Sequence, residues 1–260
     1  MNSIRWTPSG SLPRWLLALL GPLVLLGGCA SLPGEGQSRQ DPWETFNRKV
    51  FAVNEAVDEA ALKPVAQAYQ ATVPRMVRTG VSNFFNNIAD FWTSANLVLQ
   101  AKPRPALEMG MRGLVNTFFG IGGVMDVADE MGLARFTVED IGQTLGYWGV
   151  SSGPYLVLPL LGPSTVRDTA GRALDFQESG ATFVWQTAQQ RNIATAIQLV
   201  NTRAQLLSAG RVLDEIALDK YLFLRDAYLA RRRSLIYGGN PPEDANAPAP
   251  FRELYKKDAN

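Results

Sequence analysis

Residues 141–166, IGQTLGYWGVSSGPYLVLPLLGPSTV, decide how this chain can fold, because none of them carries a charge. A run of 26 uncharged and largely apolar residues would by itself predict a membrane-spanning helix. The five glycines and three prolines in the run exclude one continuous helix, since glycine weakens a helix and an internal proline breaks it. We therefore predict the end of a helix followed by an apolar loop.

The predicted loop covers residues 153–163, GPYLVLPLLGP. Irregular backbone can lie at the depth of a membrane only where protein or a water-filled cavity satisfies its peptide groups. The loop is therefore either a buried part of the core or a re-entrant element beside a cavity, and the sequence leaves both possibilities open. As a gate, it would use the candidate residues Gly153, Pro154, Tyr155, Leu158, Pro159, Leu160 and Gly162.

Amphipathic helices are predicted on both sides of this stretch. Asp41-Pro42-Trp43-Glu44 has the features of a helix start: an N-cap, a proline in the first turn and a capping-box glutamate. Apolar residues recur at helical spacing over 46–61, 74–88, 91–99, 106–119, 137–148, 164–176, 187–208 and 212–237. A break is predicted near Asp90, and Ser164 is the predicted cap of the helix over 164–176. No segment alternates apolar and polar residues for long enough to predict a sheet, so the predicted fold class is mostly α.

The first 28 residues have the layout of a secretory signal peptide. Arg5 and Arg14 are the only charges before Cys29, and the apolar run 15–26 is too short to span a bilayer. Leu26-Gly27-Gly28-Cys29 is similar to the lipobox of bacterial lipoproteins, in which the cysteine thiol receives a diacylglycerol. We therefore predict lipidation of Cys29, the only cysteine of the chain, and a permanent anchor. An ordinary signal peptide with a chance cysteine is the alternative.

The residue after Cys29 and the composition of the remaining chain determine the predicted location and domains. Ala30 stands where an aspartate would resemble an inner-membrane retention signal, so we predict the outer membrane, with a lipid anchor on the periplasmic face. The predicted domains are a signal peptide over 1–28, a flexible tether over 29–40, a helical domain over 41–237 and a disordered C-terminal tail over 238–260.

Uncharged amide side chains are concentrated in a stretch that is otherwise apolar. Residues 79–101 carry a single charge, Asp90, among four asparagines and several aromatic residues. Amides can hydrogen-bond lipid carbonyls or line a wet path without the cost of burying an ion. Helix capping and solvent exposure are the alternative explanation. The channel-lining candidates are Asn83, Asn86, Asn116 and Gln143.

The residue inventory excludes several classes of function. No histidine and one cysteine exclude a histidine-dependent triad, a histidine metal cluster, an intrachain disulfide and a CxxC site. A formal net charge of +1 gives no electrostatic footprint for nucleic acid. The acidic pairs Asp129-Glu130 and Glu139-Asp140 and the basic run 231–233 read as helix ends, although the basic run could also contact headgroups or an acidic patch on a carrier protein. We therefore predict no enzymatic activity, no cofactor and no metal.

A series of short motifs runs along the chain in a fixed order. They are Asp41-Pro42-Trp43-Glu44-Thr45-Phe46-Asn47-Arg48, Leu62-Lys63-Pro64, Asn83-Phe84-Phe85-Asn86-Asn87, Asn116-Thr117, Gly142-Gln143-Thr144-Leu145-Gly146, Trp148-Gly149-Val150, Gly153-Pro154-Tyr155, Leu158-Pro159, Gly162-Pro163-Ser164 and Arg167-Asp168. This order resembles the MlaA family of lipoproteins, also called VacJ, over about 41–175, and 202–207 and 225–229 extend the match. Ile141 departs from a phenylalanine that is frequent in the family, and Ala89-Asp90 replaces a proline-bearing turn.

The resemblance implies a location, a set of partners and a function. It implies a ring-like bundle of amphipathic helices in the inner leaflet of the outer membrane, bound to a trimeric porin. Mislocalised phospholipid would leave the outer leaflet through a central channel and pass to a soluble periplasmic lipid-carrier protein. Two alternatives stay open: a structural porin-associated lipoprotein that transfers no lipid, and a periplasmic lipid hydrolase.

Overall fold

The computed structural model describes residues 40–133, 135–178, 184–185 and 187–242, without the side chains of 176–178. The predicted signal peptide, the lipidation site Cys29, most of the tether and the tail beyond residue 242 lie outside the described residues. The chain divides into two units, Met1–Ser38 and Arg39–Asn260, and all of the described residues belong to the second.

Helices make up most of the described chain, which confirms the mostly α fold class. Helix α1 (Glu44–Val57) continues through a π-helical turn (Asp58–Leu62) into α2 (Lys63–Thr72). The other helices are α3 (Arg75–Leu99), α4 (Pro103–Phe119), α5 (Val127–Glu130), α6 (Ile141–Tyr147), α7 (Val166–Glu178), α8 (Ala188–Gln205), α9 (Leu207–Ile216) and α10 (Lys220–Ile236). Within the described ranges, every helix is too short or too polar to cross a membrane.

The predicted capping box at the start of α1 is wrong. The N-cap position is Trp43, and it makes no side-chain capping bond. Asp41 is instead fully buried, where its carboxylate accepts hydrogen bonds from Asn47 Nδ2 at 2.8 Å and from the hydroxyl of Tyr221 in α10. Arg225, also in α10, adds an ion pair at 3.4 Å. Tertiary contacts therefore occupy the carboxylate that local capping would have used.

Helix α3 runs without interruption, so the predicted break near Asp90 is wrong. Asp90 is buried and accepts a hydrogen bond from Arg135 at 3.2 Å. Its Oδ2 also lies 3.3 Å from the Nε of Arg112 in α4. Burial raises the pKa of Asp90, and the two guanidinium groups oppose this effect, so α3 can hold the residue in the middle of the helix without a break.

Helices α3 and α4 approach each other closely. A Cβ atom on Gly113 would lie 2.9 Å from the ring of Phe91, so a larger residue here would have to displace that ring. The Ser94 hydroxyl of α3 donates to the backbone oxygen of Ala106 in α4 at 2.7 Å. Small residues and side chain to backbone bonds thus hold the two helices as a pair.

The helices that flank the apolar stretch start later than predicted. Helix α6 begins after Asp140, not at Thr137, because the Asp140 carboxylate caps it by accepting from the Gln143 N–H at 2.8 Å. Ser164, the predicted cap of α7, lies in a strand. The Thr165 hydroxyl takes that place and accepts from the backbone N–H three residues later at 3.2 Å.

Two of the C-terminal helices, α8 and α10, begin with a side-chain cap. Thr187 and Gln190 form a capping box at the start of α8, which confirms the predicted start of this helix. The single helix predicted over 212–237 is wrong, because the chain is divided there into α9 and α10. Asp219 accepts from the Leu222 N–H at 3.1 Å, and this competing bond to the backbone starts a new helix.

The apolar stretch forms a two-stranded antiparallel hairpin, which the sequence pattern did not predict. Strand β1 (Tyr155–Leu158) pairs with β2 (Gly162–Thr165), with Tyr155 opposite Thr165. Tyr155 and Val157 are buried, whereas the residues that alternate with them are half-buried. Strands of four residues are too short to show the alternation that predicts a sheet. The predicted irregular loop is therefore replaced by a hairpin.

Candidate functional site: an apolar exterior, a polar interior and a hairpin

The outer face of α4 is an apolar stripe. Leu107, Met111, Leu114 and Phe118 lie four, three and four residues apart, and therefore share one face of the helix. All four are exposed, Phe118 to 77%. A helix that faces water carries polar residues on its outer side, so this stripe fits an apolar surrounding such as acyl chains.

Polar side chains fill the interior beside α3, α4 and α6. Gln100 donates hydrogen bonds to Glu139 Oε2 at 3.0 Å and to Thr144 Oγ1 at 3.1 Å, and burial raises the pKa of Glu139. The buried polar residues of this part of the chain are Asn87, Asp90, Thr93, Asn96, Gln100, Arg112, Asn116, Glu139, Gln143 and Thr144. Apolar residues outside and polar residues inside reverse the distribution expected in water.

Asn83 and Asn86, two of the channel-lining candidates, are half-buried on α3. Asn83 Nδ2 donates to the backbone oxygen of Val124 at 3.1 Å. Asn86 lies one turn after Ser82, whose hydroxyl accepts from Asn201 of α8 at 2.9 Å. The structure thus places Asn86 next to a polar contact between α3 and α8, and the channel role of both asparagines stays a prediction.

Asn116 and Gln143, the other two candidates, are buried and hydrogen-bonded to their surroundings. Asn116 Nδ2 donates to Asp126 at 3.0 Å, and its Oδ1 accepts from the Ala128 N–H at 2.9 Å. Gln143 Nε2 donates to the backbone oxygen of Val138 at 2.8 Å. Both amides therefore make structural contacts, and within the described ranges no hydrogen bond joins them to the first two candidates.

Two asparagines of α1 hold the outer edge of the hairpin. Asn47 Nδ2 donates to the Tyr155 carbonyl at 3.1 Å, and Asn47 Oδ1 accepts from the Val157 N–H at 2.9 Å. Asn54 lies on the same face of α1. Its Nδ2 donates to the Leu158 carbonyl at 2.9 Å, and its Oδ1 accepts from the Leu160 N–H at 2.8 Å. The edge of a strand leaves unpaired peptide groups. The two amides therefore take the place of a neighbouring strand.

The sequence motifs assign no function to these two asparagines. Asn47 belongs to one of the motifs, and Asn54 belongs to none of them. A signal was available, because Asn47 and Asn54 are seven residues apart and so lie on one face of a helix. What the sequence could not supply was the hairpin edge that they bind.

The tip of the hairpin combines exposed apolar side chains with a strained backbone. Leu160 is 70% exposed, and Leu161 is exposed beside it. Leu160 has a φ angle of 62°, in the left-handed region that a residue with a Cβ atom rarely adopts. A strained backbone of this kind persists only where its surroundings hold it, and it is characteristic of segments that change conformation.

Ion pairs of Arg232 join α10 to α6 and α7. Arg232 Nη2 lies 2.9 Å from Asp140 Oδ1 and 3.0 Å from Asp168 Oδ1. The Tyr228 hydroxyl also donates to Asp168, at 2.8 Å. Burial alone would raise the pKa of both aspartates, but Arg232 and the hydrogen bonds outweigh it and lower the pKa of each. Arg232, which the sequence placed at an ordinary helix end, is therefore a partly buried structural residue.

An apolar cleft of about 650 Å³ lies between α3 and α8. The rings of Phe84 and Phe85 lie 6.2 and 5.9 Å from the ring of Trp185. Asn86 is two residues after Phe84, so its amide and the cleft lie on different faces of α3. Helix α3 thus holds the Asn86 amide away from the cleft, whereas Asn83 binds the backbone of Val124, which lines the cleft. The cleft is also lined by Met76, Val77, Val81, Val124, Ile193 and Ile197.

Comparison with known proteins decides the family. The sequence model of the MlaA lipoprotein family matches residues 39–235. This chain belongs to the MlaA lipoprotein family. The MlaA resemblance found in the motifs is therefore confirmed.

Three MlaA proteins, each named intermembrane phospholipid transport system lipoprotein, are similar to this chain. The Shigella flexneri protein is 36% identical, over 90% of this chain and 94% of its own length. The Escherichia coli K12 protein is 35% identical, with the same shares of both chains. The Haemophilus influenzae protein is 30% identical, over 83% of this chain and 87% of its own length.

A solved structure has the same fold. It matches with a TM-score of 0.69 and 34% identity, and it covers 76% of this chain and 100% of that chain. It is described as the structural basis for maintenance of bacterial outer membrane lipid asymmetry. Because the MlaA family consists of lipoproteins, membership supports a membrane anchor, although Cys29 itself lies outside the described residues.

Proposed function

We propose that this protein is an outer-membrane lipoprotein that removes mislocalised phospholipid from the outer leaflet. The lipid would pass through a channel within the helical domain to a periplasmic carrier protein. The observation that carries the proposal is the reversed distribution of polarity, with an exposed apolar stripe on α4 and buried amides beside α3 and α6. The names of the MlaA relatives point to the same class of substrate.

The chemistry of a phospholipid matches the two environments that α3 presents. Acyl chains need an apolar surface, which the cleft lined by Phe84 and Phe85 offers. A charged headgroup needs hydrogen-bonding groups, and neutral amides such as Asn83 and Asn86 provide them without adding a buried ion. Asn116 and Gln143 remain candidates for the same path. No catalytic group is needed to move a lipid between two sites.

The hairpin is the proposed gate of this path. Its candidate residues are Gly153, Pro154, Tyr155, Leu158, Pro159, Leu160 and Gly162. Tyr155 is buried and anchors β1, whereas Leu160 at the tip is exposed and strained. A hairpin with a fixed base and a strained tip can alternate between two positions with little change elsewhere in the fold.

The proposed assembly has two protein partners, and the protein itself is anchored in the membrane. Lipidation of Cys29 would anchor the protein to the periplasmic face of the outer membrane. The exposed apolar stripe of α4 would face acyl chains, and other surfaces would contact a trimeric outer-membrane porin. A soluble lipid carrier would accept the phospholipid in the periplasm.

Two other functions make different predictions for one experiment. The full-length protein is reconstituted in vesicles that contain fluorescent phospholipid, and an apolar acceptor protein is added. The proposal predicts that intact phospholipid leaves the vesicles. A lipid hydrolase would release free fatty acid, and a purely structural porin-associated lipoprotein would leave the lipid in place, so either result would refute the proposal.

A further inference from the structure

The turn of the hairpin is held from two different helices. On one side, Asn54 of α1 donates to the Leu158 carbonyl at 2.9 Å and accepts from the Leu160 N–H at 2.8 Å. On the other side, Arg172 Nη1 of α7 donates to the Leu161 carbonyl at 3.3 Å. The two contacts bind adjacent residues of the tip.

These contacts are needed because the tip has little else to hold it. The φ angle of Leu160, 62°, is unfavourable for a residue with a Cβ atom. The Leu160 side chain is exposed, so packing cannot compensate for the strain. The backbone contacts of the tip, those from Asn54 and Arg172 included, therefore have to keep the turn in the observed conformation.

The contact of Arg172 is not reinforced by an ion pair. Asp168 and Asp175 lie one turn away on α7, but Asp168 binds Arg232, and Asp175 accepts from Trp92 at 2.9 Å. Among the described side chains, no carboxylate lies within 4.0 Å of the Arg172 guanidinium. The bond to the Leu161 carbonyl is exposed, so it can open without leaving a buried ion unpaired.

We propose that Arg172 is a positioning residue that latches the hairpin tip against α7 and so sets how often the tip leaves its observed position. When Arg172 releases the Leu161 carbonyl, Leu160 can relax to an ordinary φ angle, and the tip moves away from α7. Relief of strain thus favours the released position, and the latch opposes it. This inference rests on the proposed role of the hairpin as a gate.

Hydrogen exchange at the Leu160 amide tests the latch without any lipid transfer. The full-length protein, labelled with 15N-leucine in lipid nanodiscs, is compared with Arg172→Leu and Arg172→Lys. Loss of one net hydrogen bond predicts an amide protection about fivefold lower in Arg172→Leu. Arg172→Lys keeps a donor and is expected to retain most of the protection.

A second substitution relieves the backbone strain and is expected to change amide protection in the opposite direction. Glycine adopts the left-handed region freely, so a Leu160→Gly variant, labelled with 15N-glycine, should show higher protection at residue 160 than the wild type. Lipid transfer should be faster in Arg172→Leu and slower in Leu160→Gly, with melting temperatures unchanged in both variants. The two variants therefore shift the same equilibrium in opposite directions.

Two results would overturn the inference. Protection within twofold of wild type in Arg172→Leu would show that Arg172 does not hold the tip. Lower protection in Leu160→Gly would show that strain does not favour release. Altered protection with unchanged lipid transfer would leave the latch in place and refute the proposed role of the hairpin as a gate. Failure of the wild type to transfer lipid would refute the proposed function. It would not affect the test of the latch, because hydrogen exchange is measured without lipid transfer.

Discussion

The α3–α4 pair and the hairpin both place backbone next to polar side chains, but different interactions hold them. In the α3–α4 pair, the guanidinium of Arg112 is 1% exposed and contacts the carboxylates of Asp90 and Asp126. A Cβ atom on Gly113 would overlap the ring of Phe91, which shows how tightly the helices meet. The outer edge and turn of the hairpin depend on amide and guanidinium bonds to peptide groups.

This difference separates a rigid frame from an element that can move. Breaking a buried ion pair leaves an uncompensated charge in the interior. Any conformation of the α3–α4 pair that separates these ions therefore has a high free energy. Breaking the exposed bonds of the hairpin turn, to the Leu160 N–H and the Leu161 carbonyl, costs far less, because water can replace the partner. We therefore expect substitutions in the frame to change stability, and substitutions around the hairpin or the amides of α3 to change transfer.

The largest effect is expected for Arg112→Met, which breaks the frame. The substitution leaves Asp90 buried beside a single remaining guanidinium and should lower the free energy of unfolding by about 3 to 5 kcal/mol. Urea unfolding of the purified protein measures the change. Arg104→Met is the matched control, because Arg104 is 91% exposed in its pair with Glu108, and the cost there should stay below about 1 kcal/mol. Equal losses of unfolding free energy in the two variants would show that the buried ion pairs of Arg112 stabilise the fold no more than an exposed pair does.

A smaller and pH-dependent effect is expected for Arg232→Met. Asp140 and Asp168 have lowered pKa values in the folded protein, so their contribution is present above the ordinary aspartate pKa of about 3.9. It is lost as the pH falls through the lower pKa of the folded state. The stability difference between wild type and variant should therefore be about 2 to 3 kcal/mol at pH 7 and shrink below about pH 4. Urea unfolding at pH 7, 5, 4 and 3 measures it, and a difference that grows in acid would contradict the assignment.

The smallest stability effect and a clear functional effect are expected when Asn83→Leu and Asn86→Leu are combined. Both side chains are half-buried, so the double variant should lose less than about 1 kcal/mol of stability. Transfer of fluorescent phospholipid should nevertheless slow several-fold, because the path loses two amides. Asn116→Leu is the contrast: it removes the bonds to Asp126 and Ala128 and should lower stability by about 2 kcal/mol. Normal transfer in the double variant would exclude Asn83 and Asn86 as channel residues.

The parts of the fold that the sequence predicted are those that local patterns determine. Helical periodicity located the segments that became α4 and α8, and the Thr187 capping box needs only residues of its own turn. The capping box at Asp41 failed because its carboxylate binds Tyr221 and Arg225, which are distant in sequence. Local signals of the same kind therefore succeed or fail according to the tertiary partners available.

The hairpin and the residues that hold it lay beyond sequence patterns for a similar reason. Its strands are too short for a visible alternation, and Asn54 and Arg172 become meaningful only once the turn is placed between α1 and α7. Glycine and proline positions did indicate that residues 153–163 form no helix, and this part of the prediction is confirmed. The sequence therefore pointed to residues 153–163 as a candidate gate, but not to the contacts that anchor them.

The most direct test of a moving hairpin is a reversible tether between the hairpin and α1. Asn54→Cys and Leu160→Cys are combined in the full-length protein, because the Asn54 side chain contacts the Leu160 backbone in the observed position. A disulfide is feasible in the oxidising periplasm, and the two single variants are the controls. We expect the verified disulfide form to transfer no phospholipid and to regain transfer on reduction with dithiothreitol. Full transfer in the oxidised form would contradict a moving gate and leave the hairpin as a static part of the core.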